Sequence, residues 1–421
     1  MVFLARFDAD TGENCRPEQG RARAGRRRRV LYAVGPGDVA GQYRDLQSGL
    51  GVPFQLAMSF TQQFVDECDL SGIETHLISS HARRDDVRID PHRMENLPRP
   101  ALYYGGGLRH HLGMAIYGFR ILVRALRERP AAVLADSGTT HWVMLAPLAL
   151  FRIPVIAVLH NALWPMGHPP RRAVDRLLRW TDGWFFRHVA AATVGVSPEC
   201  VRQVRQIGRT LKGPIFECRA QYRTDFLDRV PPAERARHPF RVLFLGRVEE
   251  YKGVFLLLDV AELLERDLPG SFAWRIVGPG EAFNELQRRI AARGLGGIVQ
   301  AEKPLSGEQA ALETLAWADA MVVPTTSQFK EGLAMTAAES VLAGRPVVVS
   351  SVVPAAEVLG NAVLTAETDN AASFVAAFRK LALDPRAYAA CQRATADVQA
   401  QFYDRAQGLG SVLMRVLAAL R

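Results

Sequence analysis

The chain has 421 residues, of which 48% are hydrophobic and 23% are charged. This composition is typical of a folded protein and excludes a mostly disordered chain, while the length indicates two or three domains. Lys and Arg (52) outnumber Asp and Glu (43), and the net charge of +9 permits phosphates, nucleic acid or anionic lipid as ligands without choosing among them. The five cysteines form no C-x-x-C pair, which argues against a zinc site or a disulfide framework and fits a reducing cytoplasm.

The first 28 residues carry a run of arginines without apolar periodicity, which predicts a solvated basic tail. Asp8 and Asp10 lie in this tail rather than after a strand, so we do not predict a metal-binding carboxylate pair. The best membrane-span candidate, residues 139–160, is divided by Pro147 and Arg152 into a helix and a strand. The apolar run at the amino terminus is too short for a signal peptide.

From residue 29 onward, short apolar runs alternate with longer helical stretches. Strands that are apolar throughout, alternating with helices, favour a parallel sheet covered by helices on both faces. The first domain is predicted to span residues 29–228. Its predicted strands are 30–34, 75–78, 101–104, 133–135, 155–159 and 192–196, and its clearest helices are 54–67 and 108–127.

The stretch 229–239 is rich in proline and charge and is predicted to be an interdomain linker. After it the alternation resumes over 240–395, and residues 396–421 are predicted to be a helix that packs back on the first domain. The sequence thus predicts an α/β protein with two Rossmann-like parallel-sheet domains facing a cleft, where ligands bind at the carboxyl ends of strands. The predicted strands of the second domain are 241–245, 274–277, 298–301, 320–323 and 346–350, with helices at 254–265, 281–293, 307–317 and after Glu331.

Two glutamates, Glu331 and Glu339, are eight residues apart at the start of a predicted helix. The second lies at most about 12 Å further along the helix axis. The backbone N–H groups of Gly332 and Leu333 would be exposed at the helix start and can hold an anion. This segment offers acceptors for sugar hydroxyls and donors for phosphate, which are the groups that a nucleotide-sugar presents. A charged first turn is the simpler alternative, since helix starts favour glutamate in any case.

Two further turns follow predicted strands of the second domain. Gly246 and Arg247 come directly after one strand, and Lys252 stands close to the next helix. Because both cations lie where a strand's carboxyl end meets a helix start, they could neutralise a diphosphate. Gly278 closes the next strand with a glycine turn that leaves room for a base or a ribose.

As a set, the segments FLGRVEEYKG, RIVGPGE, EGLAMTAAE and AGRPVVVSS resemble the nucleotide-binding domain of family 4 glycosyltransferases of the GT-B fold, in the same order over residues 240–360. The resemblance implies a retaining, metal-independent transfer of a sugar from a nucleoside diphosphate sugar, without a cofactor. The implied donor-binding residues are Gly246 and Gly278 in their turns, Arg247 and Lys252 on the diphosphate, Glu331 on the donor sugar, Glu339 on the ribose, and Gly332 and Leu333 as N–H donors.

The first half resembles the acceptor domain of that family. His160, at the end of VLHN, matches the strand whose terminal histidine points at the reaction centre, so His160 and Glu331 are the implied catalytic residues. Gly35 and Gly37 lie where the family's glycine loop meets the acceptor. The loop up to Gly51 is longer than in the family, and AQYRTDF replaces the family's Asn-Gly segment. The acceptor therefore stays open among a glycan, a lipid-linked compound and a small molecule.

Three other classes of protein were considered. A nicotinamide oxidoreductase is set aside, because the spacing of Gly35, Gly37 and Gly41 does not match G-x-G-x-x-G and the second strand ends in Ser79 and Ser80 without a carboxylate. Another GT-B enzyme, such as a sugar-nucleotide epimerase or a phosphorylase, would share the fold. A non-catalytic scaffold or membrane-binding protein is the alternative from a different class.

The stretch 170–188 carries five arginines among leucine, tryptophan and phenylalanine side chains. We favour a domain helix whose aromatic face packs on the sheet, and keep docking on an anionic bilayer as the alternative. The two can coexist if the acceptor is lipid-linked. We therefore predict a cytoplasmic polysaccharide-biosynthesis enzyme, with peripheral contact to the inner face of a membrane left open and no nucleic-acid partner.

Overall fold

The computed structural model describes residues 28–48, 56–227, 229–233, 238–303 and 307–420. The predicted tail lies outside these residues except for Arg28, as do parts of the long loop and of the linker. Within the described residues, one sheet has eight strands and the other has six, and helices separate most strands along the chain. The predicted α/β architecture of two parallel-sheet domains is confirmed.

The first sheet has the strand order β3-β4-β2-β1-β5-β6-β7-β8, and every pair is parallel except β3 with β4. The central strand β1 is buried along almost its whole length, and its Tyr32 stands opposite both Leu77 and Leu134. The strands are β1 Arg29–Val34, β2 Glu74–Ser79, β3 Asp85–Ile89, β4 His92–Asn96, β5 Ala132–Asp136, β6 Val155–Leu159, β7 Ala190–Gly195 and β8 Ile215–Glu217.

The sequence prediction was wrong at three places in this sheet. It missed the short edge strand β8. It missed the antiparallel pair β3 and β4, whose sequences DDVRI and HRMEN are too polar to be recognised as apolar runs. It also placed a strand at 101–104, where the chain forms the 3₁₀ segment Ala101–Gly105, in which no residue is buried. The preceding Pro100 and the following glycines favour a turn over a ladder strand.

The helices of the first domain connect these strands. The predicted helix at 54–67 begins later, because the Ser59 side chain accepts a hydrogen bond from the Gln62 N–H and caps the helix. A second 3₁₀ segment, Trp142–Phe151, contacts both α3 and α4. The helices are α1 Val39–Gln47, α2 Phe60–Ser71, α3 Gly107–Glu128, α4 Ala173–His188, α5 Pro198–Gly208 and α6 Thr224–Leu227.

The second sheet has the order β11-β10-β9-β12-β13-β14 and is parallel throughout. Its core includes the fully buried Trp274 and Phe378, whose rings meet edge to face at 5.1 Å. The strands are β9 Phe240–Leu245, β10 Phe272–Val277, β11 Val299–Glu302, β12 Ala320–Val323, β13 Val347–Ser350 and β14 Val363–Ala366.

The remaining helices follow the interdomain linker. None of the described helices is both long and apolar enough to cross a membrane. The helices are α7 Val254–Asp267, α8 Phe283–Ala292, α9 Glu308–Trp317, α10 Met335–Leu342, α11 Ala355–Leu359, α12 Ala371–Leu383, α13 Pro385–Gln399 and α14 Leu409–Ala419.

The last helix, α14, packs against α2 of the first domain. The Leu409 N–H donates to the Gln63 side chain at 3.2 Å, and the Arg28 guanidinium donates to the Leu417 carbonyl at 2.9 Å. A Cβ added at Gly410 would lie 2.3 Å from the Gln63 carbonyl oxygen, so only glycine permits this close approach. The side chain of Leu413 is completely buried in the resulting core.

We expect Leu413→Ala to lower the free energy of unfolding of the first domain by about 2–5 kcal/mol, because it removes buried methyl groups and leaves a cavity. The matched control is Leu383→Ala, since Leu383 is 57% exposed. Thermal and urea unfolding of both variants tests the effect. Equal midpoints for the two variants would show that α14 contributes nothing to the core.

Candidate active site

A cavity of about 280 Å³ lies between the two domains. It is built at the carboxyl ends of β6, β9 and β12, because parallel strands present these ends at one edge of each sheet. The first domain contributes Phe60, His160, Asn161, Val196 and Ala220, and the second contributes residues around Gly246, Lys252, Thr325 and Glu331.

Glu331 and Lys252 form an ion pair in the wall of this cavity. Lys252 Nζ lies 2.5 Å from Glu331 Oε1, and the Thr325 hydroxyl donates to the same oxygen at 2.7 Å. The Lys252 side chain is only 18% exposed and the Glu331 side chain only 6%. Removal of either partner would leave a buried charge without compensation, so the pair fixes both groups in place.

An aromatic pair packs against the two cations Arg247 and Lys252. Tyr251 and Phe329 stack with ring centroids 4.7 Å apart. Lys252 Nζ lies 4.4 Å from the Phe329 ring centroid, and the Arg247 guanidinium lies 5.6 Å from that of Tyr251. Arg247 is exposed, lines the cavity and has no acidic partner among the described residues, so its charge is available to an anion.

The turn before α10 brings the two domains into contact. A Cβ added at Gly332 would lie 1.9 Å from the His160 carbonyl oxygen, and the Ala162 N–H donates to the Glu331 carbonyl at 3.2 Å. Gly332 and Leu333 line the cavity, and their N–H groups donate to no acceptor in the described part of the chain. They precede the helix rather than form its first turn, because α10 begins at Met335.

Glu339 lies in the middle of α10, behind the cavity wall that Met335 and Thr336 form. Burial raises the pKa of its carboxyl to about 7. The carboxyl has no hydrogen-bond or ion-pair partner in the described ranges, and the buried Tyr222 hydroxyl donates instead to the Met335 carbonyl at 3.2 Å. The structure therefore places this predicted ribose ligand next to the cavity without making it part of the lining.

The two predicted glycine turns serve different purposes. Gly246 lines the cavity, with a φ of 150°. Gly278, with a φ of 151°, does not line it: a Cβ there would lie 1.8 Å from the Gly246 carbonyl oxygen. Gly278 thus lets the turn after β10 pack against the turn that holds Gly246. Its effect on the cavity is therefore indirect.

His160 faces the donor side from the end of β6. Its Nε2 lies 3.0 Å from Asp136 Oδ1, and that carboxylate oxygen also accepts a hydrogen bond from the Tyr32 hydroxyl at 2.7 Å. The Phe60 ring lies against the imidazole with centroids 4.5 Å apart, and the Ser137 hydroxyl oxygen accepts from the backbone N–H of His160. Asp136 and Phe60 therefore hold the imidazole, and Ser137 holds the backbone that carries it.

One nitrogen of this imidazole is left over. Nδ1 of His160 is buried and has no hydrogen-bond partner in the part of the chain described.

Burial and the neighbouring Asp136 raise the pKa of Tyr32 well above its usual range, so Tyr32 stays protonated and keeps donating to the Asp136 carboxylate. The pair Tyr32 and Asp136 therefore positions His160.

Gly35 and Gly37 follow β1 at the same edge of the first sheet, but neither lines the cavity, and a Cβ on either would meet nothing within 4 Å.

The sequence analysis missed three residues of the site: Asp136, Thr325 and Phe60. For Asp136 a signal existed, since the acid ends an otherwise apolar strand beside the strand of His160. Among the described residues, no three His, Cys, Asp or Glu side chains come together as a metal-binding cluster.

Comparison with known proteins identifies both halves of the chain. The family of glycosyl transferases group 1 matches residues 231–398, and the glycosyl transferase 4-like domain matches residues 57–211. Together the two models cover more than three quarters of the chain. No curated protein matches the sequence significantly.

Solved structures show the same fold at low sequence identity. Sucrose-phosphate synthase from Thermosynechococcus elongatus is similar with a TM-score of 0.70 and 17% identity, over 93% of this chain and 100% of that chain. Trehalose 6-phosphate synthase from Burkholderia multivorans has a TM-score of 0.69 and 11% identity, over 93% and 97%. The Anabaena protein HepE in complex with UDP has a TM-score of 0.62 and 13% identity, over 93% and 100%.

The fold, the domain matches and the cleft together define a glycosyltransferase of the GT-B fold. Within that class, the chain combines a glycosyl transferase 4-like domain with a glycosyl transferases group 1 domain, consistent with a GT4-like family. The resemblance seen in the sequence is confirmed.

We expect Gly332→Ala to lower turnover by about 10²-fold, because the added methyl group pushes the two sides of the cleft apart near the reacting groups. The control is Gly296→Ala, where a Cβ meets nothing within 4 Å. Hydrolysis of a sugar nucleotide provides an assay without an acceptor. Turnover of Gly332→Ala equal to that of Gly296→Ala would contradict the close approach.

We expect the buried Glu339 carboxyl to make stability depend on pH. Its pKa is about 7 in the folded chain and near 4.5 when exposed, so the folded state binds more protons between these values and stability falls as pH rises through this window. The loss is on the order of 3 kcal/mol and is complete above the folded pKa.

The variant Glu339→Gln removes this loss, so it should gain stability relative to the native protein at about pH 8 but not at about pH 5. The exposed Glu281→Gln is the control. Urea unfolding at the two pH values measures the difference, and an equal effect of both substitutions would contradict the assignment.

Proposed function

We propose that this glycosyltransferase transfers a sugar from a uridine diphosphate sugar with retention of configuration and without a metal ion. The observation that carries the proposal is the wall of the cavity: Lys252, Arg247 and the N–H groups of Gly332 and Leu333 converge beside Glu331. The UDP in the HepE structure supports the choice of base, because that protein shares the fold.

The leaving diphosphate sets the chemical problem. Negative charge develops on its oxygens as the bond to the anomeric carbon breaks, and fixed positive groups stabilise that charge most. We assign this role to Lys252, Arg247 and the two N–H groups. Because these groups already converge on one wall, they can stabilise the charge without a divalent ion.

The donor sugar would lie between Glu331 and His160. The Glu331 carboxylate has one oxygen held by Lys252 and Thr325, so its other oxygen is available to accept from sugar hydroxyls. The fixed His160 imidazole closes the opposite side of the cavity. In this proposal Glu339 accepts from the ribose hydroxyls after a local shift of the turn that precedes α10.

Retention fits the acceptor side. Asp136 is the carboxylate nearest to His160, and Tyr32 and His160 both engage its Oδ1, so it is held as a positioning group rather than as a free nucleophile. We therefore propose that the acceptor attacks from the face that the diphosphate leaves, with the leaving phosphate taking the acceptor proton. Closure of the cleft would exclude water.

The acceptor class stays open among a glycan, a lipid-linked compound and a small molecule.

We assign the reaction to the cytoplasm, because the described cysteines Cys68, Cys200, Cys218 and Cys391 are all free thiols. A sugar-nucleotide epimerase or a scaffold would use the same fold differently, and the experiments below separate them.

We expect Lys252→Ala and Glu331→Ala each to lower turnover by at least about 10²-fold, since each removes a group aimed at the transition state. Lys380→Ala, an exposed lysine on α12, is the matched control. A second arm measures thermal shifts with UDP, GDP and ADP, followed by hydrolysis of intact sugar nucleotides with and without EDTA.

Stabilisation by UDP, metal-independent turnover and an α-linked product from an α-linked donor support the proposal. Normal turnover in both site variants would sink the site assignment. No stabilisation by any nucleotide would favour the scaffold, and a changed sugar without transfer would favour the epimerase.

A further inference from the structure

The solvent side of the first domain carries most of the exposed apolar side chains that the structure describes. Of the large apolar side chains that the structure describes as exposed, all but Leu70 and Leu383 lie on α3, α4 and the 3₁₀ segments Ala101–Gly105 and Trp142–Phe151. The segment Trp142–Phe151 contacts both helices, and Ala101–Gly105 contacts α3, so the four elements form one surface. We call this surface the α3–α4 face.

Helix α4 is apolar on two sides. Phe185 is fully buried against the domain, whereas Val174, Leu177, Trp180 and Trp184 recur every three to four residues and form a stripe that is exposed. Leu177 is 59% exposed and Trp180 is 68% exposed. Since the inward side already satisfies the core, the outward stripe calls for a second apolar environment.

The outward side of α3 continues this stripe. Leu108, Leu112 and Phe119 follow a helical spacing and are exposed, and Leu150 and Phe151 stand at the end of the neighbouring 3₁₀ segment. Leucine, phenylalanine and tryptophan are the side chains that interfacial helices bury at the boundary between lipid headgroups and acyl chains. Exposed apolar side chains on four neighbouring elements differ from the singly scattered apolar residues of an ordinary surface.

The charges beside the stripe are positive and free. Arg171, Arg172 and Arg176 are exposed and have no acidic partner in the described residues. Arg171 and Arg176 line an open recess of about 760 Å³ together with Arg179. The Nε atom of Arg179 is buried there without a hydrogen-bond partner in the described chain, while its guanidinium lies 4.7 Å from the Trp164 ring centroid.

This recess matches the phosphate group of a lipid. Guanidinium groups bind phosphate oxygens in pairs, and several of them beside exposed tryptophans combine the two recognition elements of an anionic bilayer. Asp175 and Asp182 are the acidic residues of α4, and they lie near Lys330. Within the described residues, neither forms an ion pair with the arginines of the recess.

The proximity of Lys330 to Asp175 and Asp182 places the α3–α4 face next to the candidate active site. Lys330 directly precedes Glu331, so the segment that carries the catalytic carboxylate runs beside α4. The loop from His160 to α4 forms the rim of the recess at residues 167–171. A bilayer on this face would hold its surface beside the mouth of the cleft.

We propose that the α3–α4 face docks on an anionic bilayer, with Leu177, Trp180 and Leu108 inserted at the headgroup level and Arg171, Arg176 and Arg179 on lipid phosphates. Free positive charge selects a bilayer over a second copy of the chain, because two such faces would repel each other. Docking goes beyond the transfer chemistry and does not require it.

The test is flotation of the full chain with vesicles of phosphatidylcholine alone and of an equimolar mixture with phosphatidylglycerol, at low and high salt. We expect binding to the mixture alone, weakened by salt because screening reduces attraction between exposed charges. Leu177→Ser with Trp180→Ser, and separately Arg172→Glu with Arg176→Glu, should lower the partition coefficient by at least about tenfold.

Matched controls lie on the second domain: Leu383→Ser, with similar exposure, and the exposed Arg393→Glu should bind like the native chain. Thermal shift with UDP on every variant reports separately on the donor site, so docking and transfer can fail independently. Equal binding to both vesicle types, no binding, or unaffected α4 variants would overturn the proposal. So would a dimer that Leu177→Ser with Trp180→Ser converts to a monomer.

Discussion

The active site depends on one steric constraint, the contact of the Gly332 backbone with the carbonyl of His160. The end of β6 and the turn before α10 meet there, and the Ala162 N–H completes the contact by donating to the Glu331 carbonyl. This contact sets the distance between the imidazole on one wall and the carboxylate on the other. The geometry of the cleft is thus determined at this point by backbone groups, which cannot change rotamer, rather than by flexible side chains.

Around this contact, the two walls have opposite electrostatic tasks. The donor wall gathers positive charge and N–H groups, and balances one lysine with a buried carboxylate. The acceptor wall holds its own carboxylate in a chain of hydrogen bonds from a tyrosine to a histidine. Charge on both walls is therefore preorganised, which is the property that the proposed transfer needs to lower a barrier with charge development.

The cavity is lined by Gly246, Arg247, Lys252 and Glu331, which the sequence also singled out, because each lies within a few residues of a strand end. Gly278 and Glu339 were singled out in the same way but do not line it. Asp136 escaped prediction because its partners, Tyr32 and His160, come from two other strands and no local spacing reveals them. The polar hairpin β3–β4 and the turn at 101–105 escaped for the opposite reason: their short-range patterns are ambiguous until the neighbouring elements decide.

The return of α14 to the first domain affects the order in which the chain acquires its structure. The core around Gln63 lacks one wall until residues more than three hundred positions later have been synthesised. On a ribosome, the second domain can close its sheet first, and the domain that begins the chain is the last to be finished. A chaperone that shields the face of α2 during this interval would guard an apolar surface that stays uncovered until the last helix is made.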